Sequence, residues 1–413
     1  MIYIIGAGMA GLAAAARCLE LGRQVTVFES APQAGGRCRS FFDANLDRLI
    51  DNGNHLILGG NDAIFAYLKS VDGLDGLSPS DPVQFSFIDL NAGLSWTIRP
   101  SAGRIPWWIF SPSRRVPGTT LSDYFTAFKI LNAPPSASLA DYVNPARPMF
   151  RRFWQPLSQA VLNTDAEEGS AMLIGRMLSE TLLKGRDAAR PYFARLGLSA
   201  ALVEPGVKHL LRSGAPVQCG RLLRSLDLKE DVVASIDVGG ERIDLQVDDR
   251  LILALPPHET AKLLPELELP TETRAIVNVH FRVDNPPKLP EDAPFIGVIG
   301  GQAHWVFRRD DVFSVTVSAA EGLVDRTADE IARLIWRDVA QILDLNERDL
   351  PANRVIKEKR ATIAQTPEQN ARRPGNSIRY KNLLLAGDWI DTGLPATVES
   401  AVQSGRKAAE LLA

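Results

Sequence analysis

The chain opens on a short apolar run, Ile2-Tyr3-Ile4-Ile5, of the kind that forms a parallel strand buried on both faces. Glycines interrupt it. Leu12 to Leu21, rich in Ala and Leu, then predicts a helix that stops at Gly22, and Gln24 to Phe28 predicts a second strand. Residues 150–184 carry Leu, Met and Trp at helical spacing, and Thr327 to Leu345 reads as an amphipathic helix. Between these, Ile276–Val283, Phe295–Ile299, Trp305–Arg308 and Phe313–Ser318 predict antiparallel strands. Asp231–Asp249 alternates polar and apolar residues about Gly239-Gly240, the pattern of a hairpin. Arg250–Leu255 and Asn382–Ala386 are two further apolar strands. No repeat, heptad array or low-complexity tract is present in the sequence.

Composition narrows the classes. At 413 residues, 45% hydrophobic and 23% charged, the chain has material for two or three domains and is not a disordered polymer. A net charge of -3 offers no basic excess for nucleic acid. Cys18, Cys38 and Cys219 are widely spaced with no CxxC, so neither a disulfide framework nor a metal site is expected, and the thiols are expected to be reduced in the cytoplasm. The apolar stretch from Met1 to Ala16 is broken by glycines and closed by Arg17 and Glu20, which argues against a membrane span. A first strand so close to Met1 is expected to leave no room for a targeting segment.

The first strand runs into Gly6-Ala7-Gly8-Met9-Ala10-Gly11, a GxGxxG. Gly6 permits the tight turn, Gly8 lets backbone approach a pyrophosphate, and Gly11 allows helix and strand to pack closely. The helix that follows points its amides and positive dipole end at the same place. Glu29 closes the second strand 18 residues after Gly11, where a carboxylate can accept from both ribose hydroxyls and repel a 2′-phosphate. A lone GxGxxG could be only a tight turn; strand, helix, strand and acid in this order make it a dinucleotide site. Gly297-Val298-Ile299-Gly300-Gly301 has the wrong spacing for a second one, so an electron donor, unidentified, is expected to dock transiently or to be another protein.

Ala34-Gly35-Gly36-Arg37 resembles the GG-R signature of the flavin amine oxidase and phytoene desaturase superfamily, and selects FAD over NAD; Arg37 can offer a cation to pyrophosphate or flavin. Gly387-Asp388-Trp389, with Thr392 through Ala396-Thr397 to Gly405, resembles the closing motif of that superfamily. There the Asp binds the ribityl chain and the helix N-terminus faces the flavin pyrimidine. The resemblance also implies a strand at Val217 beside the adenine.

Asp51-Asn52-Gly53-Asn54-His55, Phe153-Trp154-Gln155-Pro156-Leu157, Leu253-Ala254-Leu255-Pro256-Pro257 and the C-terminal motif are together similar to the squalene-associated FAD-dependent desaturase family, the hydroxysqualene dehydroxylases of hopanoid synthesis. Asn54 replaces the family's usual Gln, and Ser400 stands where Gly is commoner. The implied fold is α/β: a Rossmann-type, glutathione-reductase-like FAD domain (1–69, 197–258 and 355–413) interleaved with an α+β substrate domain (70–196 and 259–354), amine-oxidase-like. The implied activity is reductive removal of the hydroxyl of hydroxysqualene to give squalene. Carotenoid desaturase-like and amine oxidase-like chemistry, or a non-catalytic FAD-binding scaffold, are the alternatives. Leu394 in place of an aromatic cage residue speaks against amines.

Hydroxide is a poor leaving group, so a general acid is needed. His55 is the first candidate because an ordinary imidazole titrates near neutrality, with Asp51 expected to orient it. Glu399 and Asp391 are further candidates. Ile105-Pro106-Trp107-Trp108-Ile109-Phe110, flanked by Arg104 and Arg114-Arg115, has the composition of an interfacial anchor, and also that of core or pocket wall. A cytoplasmic protein held on the inner face of the membrane is the expectation that follows.

Overall fold

A computed structural model describes residues 1–412. Five parallel strands form its first sheet, in the order Val217–Gln218, Val25–Phe28, Ile2–Ile5, Arg250–Leu253, Leu383–Leu385. The period-two geometry of a strand divides their side chains between two cores. Ile4, Val27, Ile252 and Leu384 face the helices Met9–Glu20 and Val398–Glu410. Ile5, Phe28, Leu251 and Leu385 face a three-stranded meander, Leu223–Lys229, Val232–Val238 and Glu241–Asp244. That meander turns at Gly239-Gly240, both with positive φ, as a tight hairpin requires.

The two helices are first and last in the chain, yet they pack backbone to backbone. A Cβ on Gly405 would lie 2.0 Å from the carbonyl oxygen of Ala10. This contact brings the N-terminal and C-terminal motifs together at the carboxyl ends of the parallel strands.

The second sheet has seven strands in the order Asn353–Ile363, Thr273–Arg282, Val312–Val317, Trp305–Arg309, Phe295–Ile299, Phe85–Asp89, Leu94–Ile98. All pairs are antiparallel except Phe295–Ile299 with Phe85–Asp89. Phe295–Ile299 accounts for the second glycine cluster: Gly300 ends a buried strand and opens no nucleotide turn. Helix Ala328–Leu343 covers one face, with Ile331, Ile335, Trp336 and Val339 on Val277, Phe281 and Phe313. Its start is set by a capping box between Thr327 and Glu330. A boundary at residue 355 would cut through the strand Asn353–Ile363. That strand pairs with Thr273–Arg282 from Thr273↔Ile363 to Phe281↔Asn353, so residues 355–363 belong with the second sheet.

Residues 150–184 are not one helical stretch. Phe150–Leu162 ends at Asn163, whose φ of 49° is left-handed, and a second helix starts after its N-cap Ser170 and runs Ala171–Glu180. The first turn, Phe150–Trp154, is a π-helix. Pro156 lies just beyond it and has no amide to return to Arg152, which relaxes the normal α register there. The Trp107-Trp108 pair is split. Trp108 is 8% exposed and packs edge-on against Tyr124, whereas Trp107 is 63% exposed.

Candidate active site

The dinucleotide end is built almost entirely from backbone. Gly6 sits at φ +101°. A Cβ on Gly11 would lie 1.8 Å from the Gly6 carbonyl oxygen, so this position must be glycine for the helix to rest on the turn. Gly8 is different: an added Cβ would meet nothing within 4 Å. The space above it is open, and the helix it caps has neither a side-chain cap nor an acid in its first turn. Free amides, a positive dipole end and an unfilled cradle at the carboxyl end of a central parallel strand suit a pyrophosphate. Gly36, φ +54°, would place a Cβ 3.4 Å from Gly8 Cα, and the Gly35 amide donates to the Ala7 carbonyl at 2.8 Å. The two glycine motifs are thus one surface.

Glu29 ends the second strand, buried, with one carboxylate oxygen accepting from the Ala7 amide at 2.7 Å and the other from the Ala31 amide at 2.8 Å. Both oxygens are held in place with lone pairs to spare. Val217 lies alongside, paired with Val27. Arg37 donates to Asp388 Oδ1 at 2.6 Å and to the Ala361 carbonyl. Gly387 donates to Ser404 Oγ, and Ala396 donates to Gln365 Oε1 at 2.7 Å. Thr397 caps the last helix without a side-chain hydrogen bond, which leaves that helix's first amides directed at the site.

Beside this end lies a cavity of about 940 Å³, near the upper end of the range for ligand pockets. Its wall is drawn from three parts of the chain: Phe85, Phe87, Trp305 and Phe307 of the large sheet, Phe153, Leu157 and Met177 of the helices, and the segments 54–64 and 392–399 next to the dinucleotide site. Most of the wall is apolar. His55, Ala396, Thr397 and Glu399 all line it.

Glu399 is 7% exposed and accepts from the amides of Ala63 and Ile64 at 2.8 and 2.9 Å, so it caps the helix Asp62–Ser70 from another element. Burial raises its pKa to about 7, against the opposing pull of the two amides. His55 moves the other way. Its ring is exposed to the cavity, yet desolvation by the surrounding wall, and then the Arg37 charge, hold its pKa below the ordinary imidazole value, with Asp51 only partly opposing. The near-neutral titration expected of His55 therefore belongs to Glu399.

Asp51 does not orient His55. Its carboxylate accepts from Ser40 Oγ at 2.6 Å, the Leu198 amide at 2.8 Å and Arg309 at 2.9 Å, and serves to tie strands together. The loop carrying His55 is held instead through Asn54, which donates to Thr316 Oγ1, itself bonded to Asn278. Asp391 is exposed and accepts from the Gly393 amide in a turn.

Two buried residues were not legible in the sequence. Gln365 holds Ala396 and also donates to the Leu162 carbonyl. Arg373 donates to the carbonyls of Asp388, Trp389, Ile390 and Leu394, and so fixes the loop between the last strand and helix. Neither sits in a motif, since each acts by long-range contact. Ser400 has a role as well, bridging Thr392 Oγ1 and the Asp388 carbonyl.

Fold and cradle define a flavin-dependent oxidoreductase of the amine oxidase type. The profile of the family described as flavin containing amine oxidoreductase matches residues 9–413. The crystal structure of an oxidoreductase from Methanosarcina mazei has the same fold, with a TM-score of 0.74 at 16% identity and coverage of 99% of both chains. The hydroxysqualene dehydroxylase of Rhodopseudomonas palustris (strain ATCC BAA-98 / CGA009) is 45% identical over 412 residues, 100% of this chain and 98% of its own. That of Sinorhizobium fredii (strain NBRC 101917 / NGR234) is 45% identical over 410 residues, 99% of this chain and 97% of its own. The chain belongs to the hydroxysqualene dehydroxylase family of flavin-containing amine oxidoreductases, and FAD is its cofactor.

Proposed function

We propose that the protein converts hydroxysqualene to squalene by replacing a C–OH bond with C–H. The observation that carries this reading is a largely apolar cavity lined at one side by the N-terminus of the last helix, which has no side-chain cap and carries one buried carboxyl group raised to a pKa of about 7. Reduced FAD, when bound, supplies the hydride. The hydroxyl leaves as water, taking one proton, and an external donor must return two electrons per turnover.

In this reading Glu399 holds that proton at its carboxyl group, anchored by the Ala63 and Ile64 amides. His55, neutral at cytoplasmic pH, orients the substrate hydroxyl by hydrogen bonding. Gly6, Gly8, Gly11 and Gly36 receive the pyrophosphate, Glu29 the ribose, Val217 the adenine edge, and Gly387, Asp388, Ala396 and Thr397 the flavin end, with Arg37 fixing Asp388. The aromatic and aliphatic wall excludes water and holds the hydrocarbon chain. The setting is cytoplasmic, with substrate delivered from the membrane.

Anaerobic mixing of the photoreduced holoprotein with hydroxysqualene tests this. Squalene should appear as the flavin reoxidises, one for one. Flavin that stays reduced with hydroxysqualene unchanged would overturn the assignment.

A further inference from the structure

The aromatic segment around Trp107 is half of a larger surface. Ile105, Trp107 and Phe110 are 53%, 63% and 50% exposed, and Phe125 and Phe128, from the next helical turns, are 50% and 47% exposed. The rings pair within each segment, Trp107 with Phe110 at 5.8 Å and Phe125 with Phe128 at 6.2 Å. Beneath them buried Trp108 meets Tyr124 at 5.3 Å, which locks the two segments side by side. Large apolar side chains in such number do not stay in water on a monomer without a use.

The charge along this stretch of chain is one-sided. Residues 99–131 hold Arg99, Arg104, Arg114, Arg115 and Lys129 against a single acid, Asp123. Asp123 is already engaged by Arg147 and the Thr120 cap. Among the described residues Arg104, Arg114, Arg115 and Lys129 have no carboxylate partner.

Position supplies the third element. The Arg186 amide donates to the Ser101 carbonyl, and a Cβ on Gly185 would touch the Ala102 carbonyl, so the loop before Ile105 rests on 185–186. Just ahead, Lys184 pairs with Glu180 and Asp62, both of which line the cavity. The helix carrying Phe128 packs on the helix carrying Met177 and Glu180, with Gly175 closed against the Ile130 carbonyl. Patch and cavity rim are therefore joined by direct contacts.

We infer that Ile105, Trp107, Phe110, Phe125 and Phe128, ringed by Arg104, Arg114 and Lys129, dock on an anionic lipid bilayer and set the cavity rim against it. Aromatic side chains suit the depth of the headgroups, and unpaired cations suit acidic lipid. No helix among the described residues is long and apolar enough to cross a membrane, so the contact is interfacial. The inference deepens the proposed function, since a hydrocarbon substrate dissolved in the bilayer would enter without passing through water.

The test floats the holoprotein with vesicles of phosphatidylcholine alone or mixed with phosphatidylglycerol, beside a Trp107→Ser/Phe128→Ser variant. Wild type should float with the acidic vesicles and less in high salt, and the variant should lose at least about tenfold in partitioning. FAD content, melting temperature and turnover of detergent-dispersed substrate should match wild type, since neither residue lines the cavity. Wild type that stays at the bottom, or a variant that floats as well, overturns the inference. So does a patch that proves to be a dimer contact, seen as a variant that turns monomeric while floating unchanged. A protein that floats as expected but leaves hydroxysqualene untouched would instead overturn the proposed function.

Discussion

Glu399→Gln separates a proton donor from a mere helix cap. The carboxyl group titrates at about 7 in the folded chain, against an ordinary 4.5. Between those values the folded protein keeps a proton that the unfolded chain has released. Stability therefore falls as pH rises, by about 1.4 kcal/mol per unit and roughly 3 kcal/mol in total, and levels off above 7. Glutamine cannot ionise. It also gives up one of the two acceptors that hold Ala63 and Ile64, which adds a pH-independent cost of about 1–3 kcal/mol. The urea midpoint of the variant relative to wild type should thus improve steadily from about pH 4.5 to about pH 7 and stay level above that. Chemistry reads the same proton. Single-turnover reoxidation by wild type should fall about tenfold per unit above pH 7, and Glu399→Gln should lose roughly 10²–10⁴ in rate and that pH limb with it. A variant with wild-type rate and an unchanged pH profile would refute the role. A variant whose stability tracked wild type at every pH would refute the buried titration behind it.

The glycine fingerprint makes a paired prediction. Gly8→Ala meets nothing within 4 Å and should leave the apoprotein's melting temperature unchanged while weakening FAD in a titration, whereas Gly11→Ala must displace the Gly6 carbonyl and should destabilise the fold by about 1–3 kcal/mol or more. Equal effects of the two changes on melting would remove the distinction between cradle and packing glycine. Arg37→Met removes a charge that depresses the His55 pKa, so an NMR titration of that imidazole should move upward; a fixed value would mean that Arg37 does not act on the ring.

What the sequence determined by itself is what adjacent residues can do. Ile2–Ile5, the glycine turn, Met9–Glu20 and Glu29 fall within thirty positions, and their roles follow from strand, turn and helix chemistry alone. The C-terminal motif is equally local, which is why the cofactor was readable at both ends. The hairpin at Gly239-Gly240 followed from local turn chemistry in the same way. Tertiary structure decided everything that depends on who meets whom. His55 and Glu399 lie far apart in the chain, and the fold sets both against one cavity whose wall desolvates them, which depresses one pKa, with help from Arg37, and raises the other, because desolvation penalises whichever form is charged. Asp51 lies four residues from His55, yet the fold turns its carboxylate toward Ser40, Leu198 and Arg309. Trp107 and Trp108 are neighbours of identical composition, and a single helical turn sends one into the core and the other into solvent. Gln365 and Arg373 carry no motif because a hydrogen bond to a distant carbonyl imposes no local pattern, and their work exists only once the chain has closed around them.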